Sequence, residues 1–175
     1  MKAREEAVLS EEAAVRSREE AIRSILERHG TDAVYVASTG YVSRAVHALA
    51  GERHHVLYMQ GSMGLAPAIG LGIALNSDRP VVVINGDGAL LMALGSTHTI
   101  RDRAPAHFFH YVLDNGCHES VGGQPVAPLE PAYPGVTEII KVRRGGKPPR
   151  VAIPPAENAR MLRQLLTADS ALPSR

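Results

Sequence analysis

Pro80-Val81-Val82-Val83-Ile84-Asn85-Gly86-Asp87-Gly88-Ala89 decides the fold. From Val81 to Ile84 no polar residue interrupts the run, so neither face of this strand is built for water. That is the pattern of a strand buried on both sides of a parallel sheet. Gly86-Asp87-Gly88 closes the strand, and Gly88-Ala89 opens a helix that runs to about Arg101. Working outward, residues 33–37 read as a short strand. It ends at Ser38-Thr39-Gly40, and a helix follows to about Ala50. Residues 55–59 read as a second strand, ending at Gly61-Ser62-Met63-Gly64, with a small-residue helix to about Asn76. Residues 107–113 form a further strand ending at Asp114-Asn115-Gly116, residues 136–142 a last strand, and residues 156–168 a last helix. The alternation predicts an α/β fold, a parallel sheet with helices on both faces. Such sheets bind ligands at the carboxyl ends of their strands, and four of the five strands end in clusters of Gly, Asn, Asp, Ser or Thr.

Upstream, residues 2–28 predict a charged amphipathic helix. Val8, Val15 and Ile22 recur every seven residues, as do Ala7, Ala14 and Ala21, and Arg4-Glu5-Glu6-Ala7 returns as Arg18-Glu19-Glu20-Ala21. The repeat fits either a helix-pairing segment or a helix packed by one apolar stripe on its own domain. His29-Gly30 ends it, with Gly at the C-cap. The organisation expected is therefore a charged helix over 1–29 and a domain over 30–175. The 175 residues suffice for one sizeable core. A net charge of +1 sets up no field for nucleic acid or an anionic membrane, and 4% aromatic content without Trp argues against base stacking. The single cysteine, Cys117, excludes a disulfide framework within the chain and fits the reducing cytoplasm. The first residues lack the apolar core of a signal peptide, and no run of about 18 apolar residues predicts a membrane span. Gly- and Pro-rich stretches over 121–134 and 145–155 read as loops. The second carries Arg143, Arg144, Lys147 and Arg150 around it, a solvated edge or a contact for an anion or a partner chain.

Asp87 and Asn115 lie 28 positions apart, separated by one helix and one strand. That crossover brings the ends of two strands together. A carboxylate and an amide oxygen then converge, a donor set for a hard cation with octahedral oxygen coordination. The turn after Asn115 adds a backbone carbonyl, and the helix opening at Gly88-Ala89 offers free N–H groups to a phosphate. A cation beside such a helix start predicts a diphosphate bridged by Mg²⁺.

Gly86-Asp87-Gly88, followed across one helix and one strand by Asp114-Asn115, resembles the signature of the thiamine-diphosphate enzymes. The resemblance implies that Asp87, Asn115 and the Cys117 backbone carbonyl hold Mg²⁺, and that Gly86, Gly88 and Ala89 lie against the cofactor. Asp114 stands where many members have Asn, at a position that is not a ligand. Gly61-Ser62-Met63-Gly64 is similar to the family segment in which a Gly carbonyl meets the cofactor's 4′-amino group and a bulky residue wedges under its bend. Gly61, Ser62 and Met63 match, although Met63 by itself reads equally as a gap-filling core methionine. Thr39 and Gly40 are the candidates for the diphosphate loop, while Arg44 either reaches an anion or forms a surface pair.

Asn115-Gly116-Cys117-His118-Glu119-Ser120-Val121-Gly122-Gly123-Gln124-Pro125 resembles the phosphonopyruvate decarboxylases, and its Asn-Gly and Gly-Gly-Gln parts resemble sulfopyruvate decarboxylase β-type chains. His118 is a candidate acid or base, or a loop histidine that shapes the site. Glu119 is a second catalytic candidate, or a residue that orients His118 or pairs with an arginine; Cys117 reads as a small packing residue. Two features depart from the family. Relatives carry a further helix and strand after the Gly-Gly-Gln loop, where this chain has a short Pro- and Ala-rich segment. The sheet is therefore expected to be a strand short, or the gap filled by a partner. No pyrimidine-binding domain and no matching glutamate are visible. The resemblance implies a subunit that decarboxylates a small 2-oxo acid, 3-phosphonopyruvate or 3-sulfopyruvate, in a hetero-oligomer with a pyrimidine-binding α-type chain. A non-catalytic partner subunit and an acetolactate-synthase-like carboligase are the alternatives.

Overall fold

The computed structural model describes residues 15–170. Arg16–Ser17 form a short strand β1, and helix α1 follows over Arg18–His29. The helix starts where it does because Ser17 and Glu20 make a reciprocal cap. The Glu20 N–H donates to Ser17 Oγ at 3.1 Å, and the Ser17 N–H donates to the Glu20 carboxylate at 2.7 Å. Gly30, at φ 66°, returns its N–H to the Leu26 carbonyl at the other end. The helix expected over 2–28 is thus corrected in its described part. Arg16 and Ser17 are extended and paired with another strand, since the cap requires non-helical backbone at Ser17. The repeat at Arg4 to Ala7, with Val8 and Ala14, lies outside the described residues. Ala21, Ile22, Ile25 and Leu26 are buried in the same apolar cluster as the sheet, so from Arg18 onward this segment belongs to the domain's core.

The remaining elements are β2 (Val34–Ala37), α2 (Tyr41–Ala50), β3 (His55–Tyr58), α3 (Ala66–Ala74), β4 (Val81–Gly86), α4 (Asp87–Met92), α5 (Ser96–Arg103) and β5 (Phe108–Asp114). They are followed by β6 (Cys117–His118), β7 (Gln124–Pro125), β8 (Glu138–Arg143) and α6 (Pro155–Ser170). Six strands form one parallel sheet in the order β3-β2-β4-β5-β8-β1. Alternate residues of β2 and β4 enter opposite cores. Tyr35, Ala37, Val82 and Ile84 pack under α1 and α2, and Val34, Val36, Val81 and Val83 pack under α3, α5 and α6. The uninterrupted apolar run is the signature of these two covered faces. Gly70 lets α3 approach closely, because a Cβ there would stand 2.5 Å from Val83 Cγ2.

The sheet is not left with a hole. β8 pairs directly with β5, Tyr111 opposite Glu138 through Asp114 opposite Lys141, and β1 extends the edge beyond it. The opposite edge is covered by α6: Asn158, buried, accepts from the Tyr58 N–H at 2.8 Å and donates to the Val56 carbonyl at 2.7 Å. The helix expected from Gly88 to Arg101 is two helices. The chain leaves helical geometry at Ala93 (φ −133°), where Gly95 follows and Ser96 Oγ donates to the Ala93 carbonyl. No helix among the described residues is long and apolar enough to cross a membrane.

Candidate functional site at the strand carboxyl ends

Strands β2, β4 and β5 are neighbours, so the turns that follow them meet at one edge of the sheet. Thr39, Met63, Gly86, Asp87, Gly88, Ala89, Asn115, Cys117, His118 and Glu119 line one cleft there. Gly40 lines an adjoining cavity that shares Thr39 and Met63 with the cleft. Gly61 and Ser62 line neither, lying on the exposed turn between β3 and α3. That turn is bent by Ser62 (φ 53°) and Gly64 (φ 93°), and it delivers Met63 to the cleft. Met63 Cε and the His118 ring both stand over Gly88, with Met63 Cε 3.3 Å from where a Cβ would be. Only glycine leaves that space.

Asp87 is the first residue of α4 and is buried. Its carboxylate accepts from the Gly88 N–H at 2.7 Å and from the Gly116 N–H at 2.8 Å, which ties the end of β4 to the end of β5. Burial pushes its pKa up, the nearby Asp114 charge adds to that, and the two N–H donors oppose it. Asp114 itself is paired with Lys141. Asp87 has no cationic partner among the described residues, so the buried carboxylate is only partly compensated. Asn115 Oδ1 accepts from the Cys117 N–H at 3.1 Å, which fixes the turn at Gly116 (φ 69°). Cys117 is a buried free thiol whose pKa is raised by burial.

Glu119 sits at the centre of a network. One oxygen accepts from Arg18 Nη1 at 2.8 Å and from Asn115 Nδ2 at 3.0 Å, while the other accepts from the Gly145 N–H at 2.7 Å. Of the alternatives the sequence left for it, pairing with an arginine is the one observed. Arg18, 3% exposed, also donates to Glu19 and to the Gly146 carbonyl and lies over the Tyr41 ring. Sequence reasoning missed Arg18, reading it as one charge of a solvated helix. The signal was the Ser-x-x-Glu pattern at Ser17 to Glu20. It starts the helix at Arg18 and so places that side chain beside the strand ends. Among the described residues the His118 side chain has no such tether; its backbone carbonyl accepts from the Gly123 N–H and its strand pairs with Gln124. Among the described residues no three His, Cys, Asp or Glu side chains cluster to hold a metal, so a cation at Asp87 would rely on neutral oxygens for its other protein ligands.

The chain is similar to a phosphonopyruvate decarboxylase of Streptomyces viridochromogenes, with 47% identity over 104 residues. The match covers 59% of this chain and 26% of that protein. It is also 41% identical over 103 residues to sulfopyruvate decarboxylase subunit beta of Methanocaldococcus jannaschii, covering 59% of this chain and 54% of that one. The corresponding subunit of Methanothermobacter thermautotrophicus is 39% identical over 105 residues, with 60% and 54% covered. The chain thus spans about a quarter to a half of these curated relatives. Residues 36–152, which hold every candidate residue of the cleft except Arg18, match the thiamine pyrophosphate enzyme family at its C-terminal TPP binding domain. On that match, which covers more than half of the sequence, the chain belongs to the thiamine pyrophosphate enzyme C-terminal TPP binding domain family.

Proposed function

We propose that this chain is the diphosphate-binding subunit of a thiamine-diphosphate-dependent carboxy-lyase acting on 3-phosphonopyruvate or 3-sulfopyruvate. The observation that carries the reading is the pairing of Asp87 with the Asn115 turn across neighbouring strand ends, in a chain similar to decarboxylases of these two names. The donor set fits a magnesium diphosphate. Asp87 is a buried carboxylate held only by N–H groups, Asn115 would add an amide oxygen, and the Cys117 carbonyl a second neutral oxygen, the hard donors that Mg²⁺ prefers. Thr39, Ala89 and Ser120 line the same cleft as Asp87 and Asn115, which is where phosphate oxygens would lie beside the cation.

Thiamine diphosphate, when bound, would supply the electron sink for the pair left behind when a 2-oxo acid loses carbon dioxide. This chain's residues position and enclose. Asp87 offsets the cation's charge, and Thr39 and Gly40 donate at the start of α2. Met63 presses from the β3 turn into the space shared by the two cavities, which supports a bent cofactor. Glu119, with both oxygens engaged, orients the Asn115 amide and does not carry protons. His118, untethered over Gly88, is the group available for proton transfer. A pyrimidine-binding partner chain docks over the strand ends in a hetero-oligomer, as the name "subunit beta" of the methanogen relatives supports. The buried thiol of Cys117 is compatible with a cytoplasmic setting.

Calorimetry tests this reading. The chain with its pyrimidine-domain partner is expected to bind thiamine diphosphate in the presence of Mg²⁺ and to release carbon dioxide from one of the two substrates. Asp87→Ala is expected to abolish the Mg²⁺-dependent binding while the circular dichroism spectrum is kept. Unchanged cofactor affinity in Asp87→Ala would sink the assignment.

A further inference from the structure

Beside the cleft lies a second cavity of about 320 Å³, and its lining differs in charge. The cleft carries the carboxylates of Asp87 and Glu119. The cavity carries two arginines, Arg44 from α2 and Arg150 from the C-terminal loop, and no carboxylate. Two further observations favour an anion as its ligand. Ser43, 2% exposed, lines the cavity with its hydroxyl buried and unpartnered, and Arg44 Nη1 is likewise buried without a hydrogen-bond partner. Unsatisfied buried donors are costly unless a ligand or water takes them. The arrangement is held in place from both sides. Arg44 lies over the Tyr41 ring at 5.4 Å. The loop that bears Arg150 is pinned across α2 and the β3 turn, where the Ala152 N–H donates to His47 Nε2 at 3.3 Å and Gln60 Nε2 donates to the Ile153 carbonyl at 3.2 Å.

We propose that this cavity is the subsite for a tetrahedral oxyanion, the phosphonate or sulfonate on C3 of the substrate, held by Arg44, Arg150 and Ser43. The proposal rests on the function proposed above and names the part of this chain that selects the substrate class. Guanidinium groups engage two oxygens of such an anion at once. Thr39, Met63, Ser120 and Val121 line both spaces, so a substrate whose carbonyl carbon lies in the cleft reaches the cavity through its C3 substituent. The terminal phosphate of the cofactor is the other source of the same chemistry. It is assigned to the cleft instead, because the cavity lacks Asp87 and Asn115 and hence any donor set for the accompanying cation.

The test is calorimetric titration of the chain assembled with its pyrimidine-domain partner, with methylphosphonate and, separately, with thiamine diphosphate plus Mg²⁺. Wild type is expected to bind both. Arg44→Met and Arg150→Met are each expected to weaken methylphosphonate about 10–100-fold, the worth of a hydrogen bond to a charged group, and to leave the cofactor titration within about twofold. Arg44→Lys is expected to recover part of the loss, and Arg150→Met, at an exposed residue, carries the test if Arg44→Met does not fold. An equal loss of cofactor affinity in the arginine variants would show that the cavity holds the cofactor's own phosphate and would overturn the proposal. So would the absence of methylphosphonate binding by wild type, or binding untouched by either substitution. Asp87→Ala separates the two readings: it is expected to lose the cofactor and keep methylphosphonate, and retention of the cofactor would count against the proposed function alone.

Discussion

Arg18→Met removes a cation from the most heavily bonded point beside the candidate site. The Arg18 side chain is 4% exposed and that of Glu119 14% exposed, and their bond is 2.8 Å long. Without the guanidinium, Glu119 keeps only the Asn115 amide and the Gly145 N–H, and the Gly146 carbonyl loses its donor. Breaking a buried pair by deleting one partner costs about 3–5 kcal/mol. Because the second partner, Glu19, is 41% exposed and readily rehydrated, the lower end applies, about 3 kcal/mol. For a chain of this length that is a fall in Tm of roughly 6–12 °C. Differential scanning calorimetry measures it. Arg18→Met/Glu119→Gln, which removes the stranded charge as well, is expected to be more stable than the sum of the single changes by at least about 1 kcal/mol. The Asn115 side-chain amide resonances are expected to shift in both single variants, since the acceptor of Nδ2 is replaced in Glu119→Gln and loses its arginine anchor in Arg18→Met. A Tm within about 2 °C of wild type, or strictly additive single and double variants, would refute the network.

His110 lies fully buried in the sheet, and burial depresses its pKa to about 4 against a smaller opposing effect of the Gly135 backbone. The folded state therefore binds fewer protons than the unfolded state between the ordinary histidine value and about 4. Stability is expected to fall as pH drops through that window, by about 3 kcal/mol in all. Denaturant titrations across that range should show a shallower acid-side decline in His110→Leu, and parallel curves would exclude His110 as the cause. Asn158→Ala strands the Tyr58 N–H and the Val56 carbonyl on an edge strand, at a cost of about 2 kcal/mol and about 4–8 °C in Tm. Hydrogen exchange at Tyr58 should accelerate, and unchanged protection there would show that α6 does not depend on this clamp.

The sequence alone determined the parallel sheet, because an apolar run such as Val81 to Ile84 has no other stable placement than between two covered faces. It also placed Asp87 and the Asn115 turn together, since one crossover between adjacent parallel strands leaves little freedom in where the second strand ends. What it did not determine were properties of pairs distant along the chain. Whether the short segment after Gln124 leaves a hole depends on which strand β8 pairs with, and that was settled by its register against β5. The partners of Glu119 were not legible either: Arg18, 101 residues away along the chain, and Gly145 bond to its two oxygens. Gly61 and Ser62 stand on the exposed turn that lifts Met63 into the cleft, a placement that the left-handed backbone at Ser62 and Gly64 sets. Arg44 and Arg150 come to line one cavity because the C-terminal loop is pinned across α2. Local pattern encodes burial and turn geometry through short-range sterics and solvation. The partner of a charge is decided by packing that brings remote segments within a few ångströms, and only the tertiary structure contains that information.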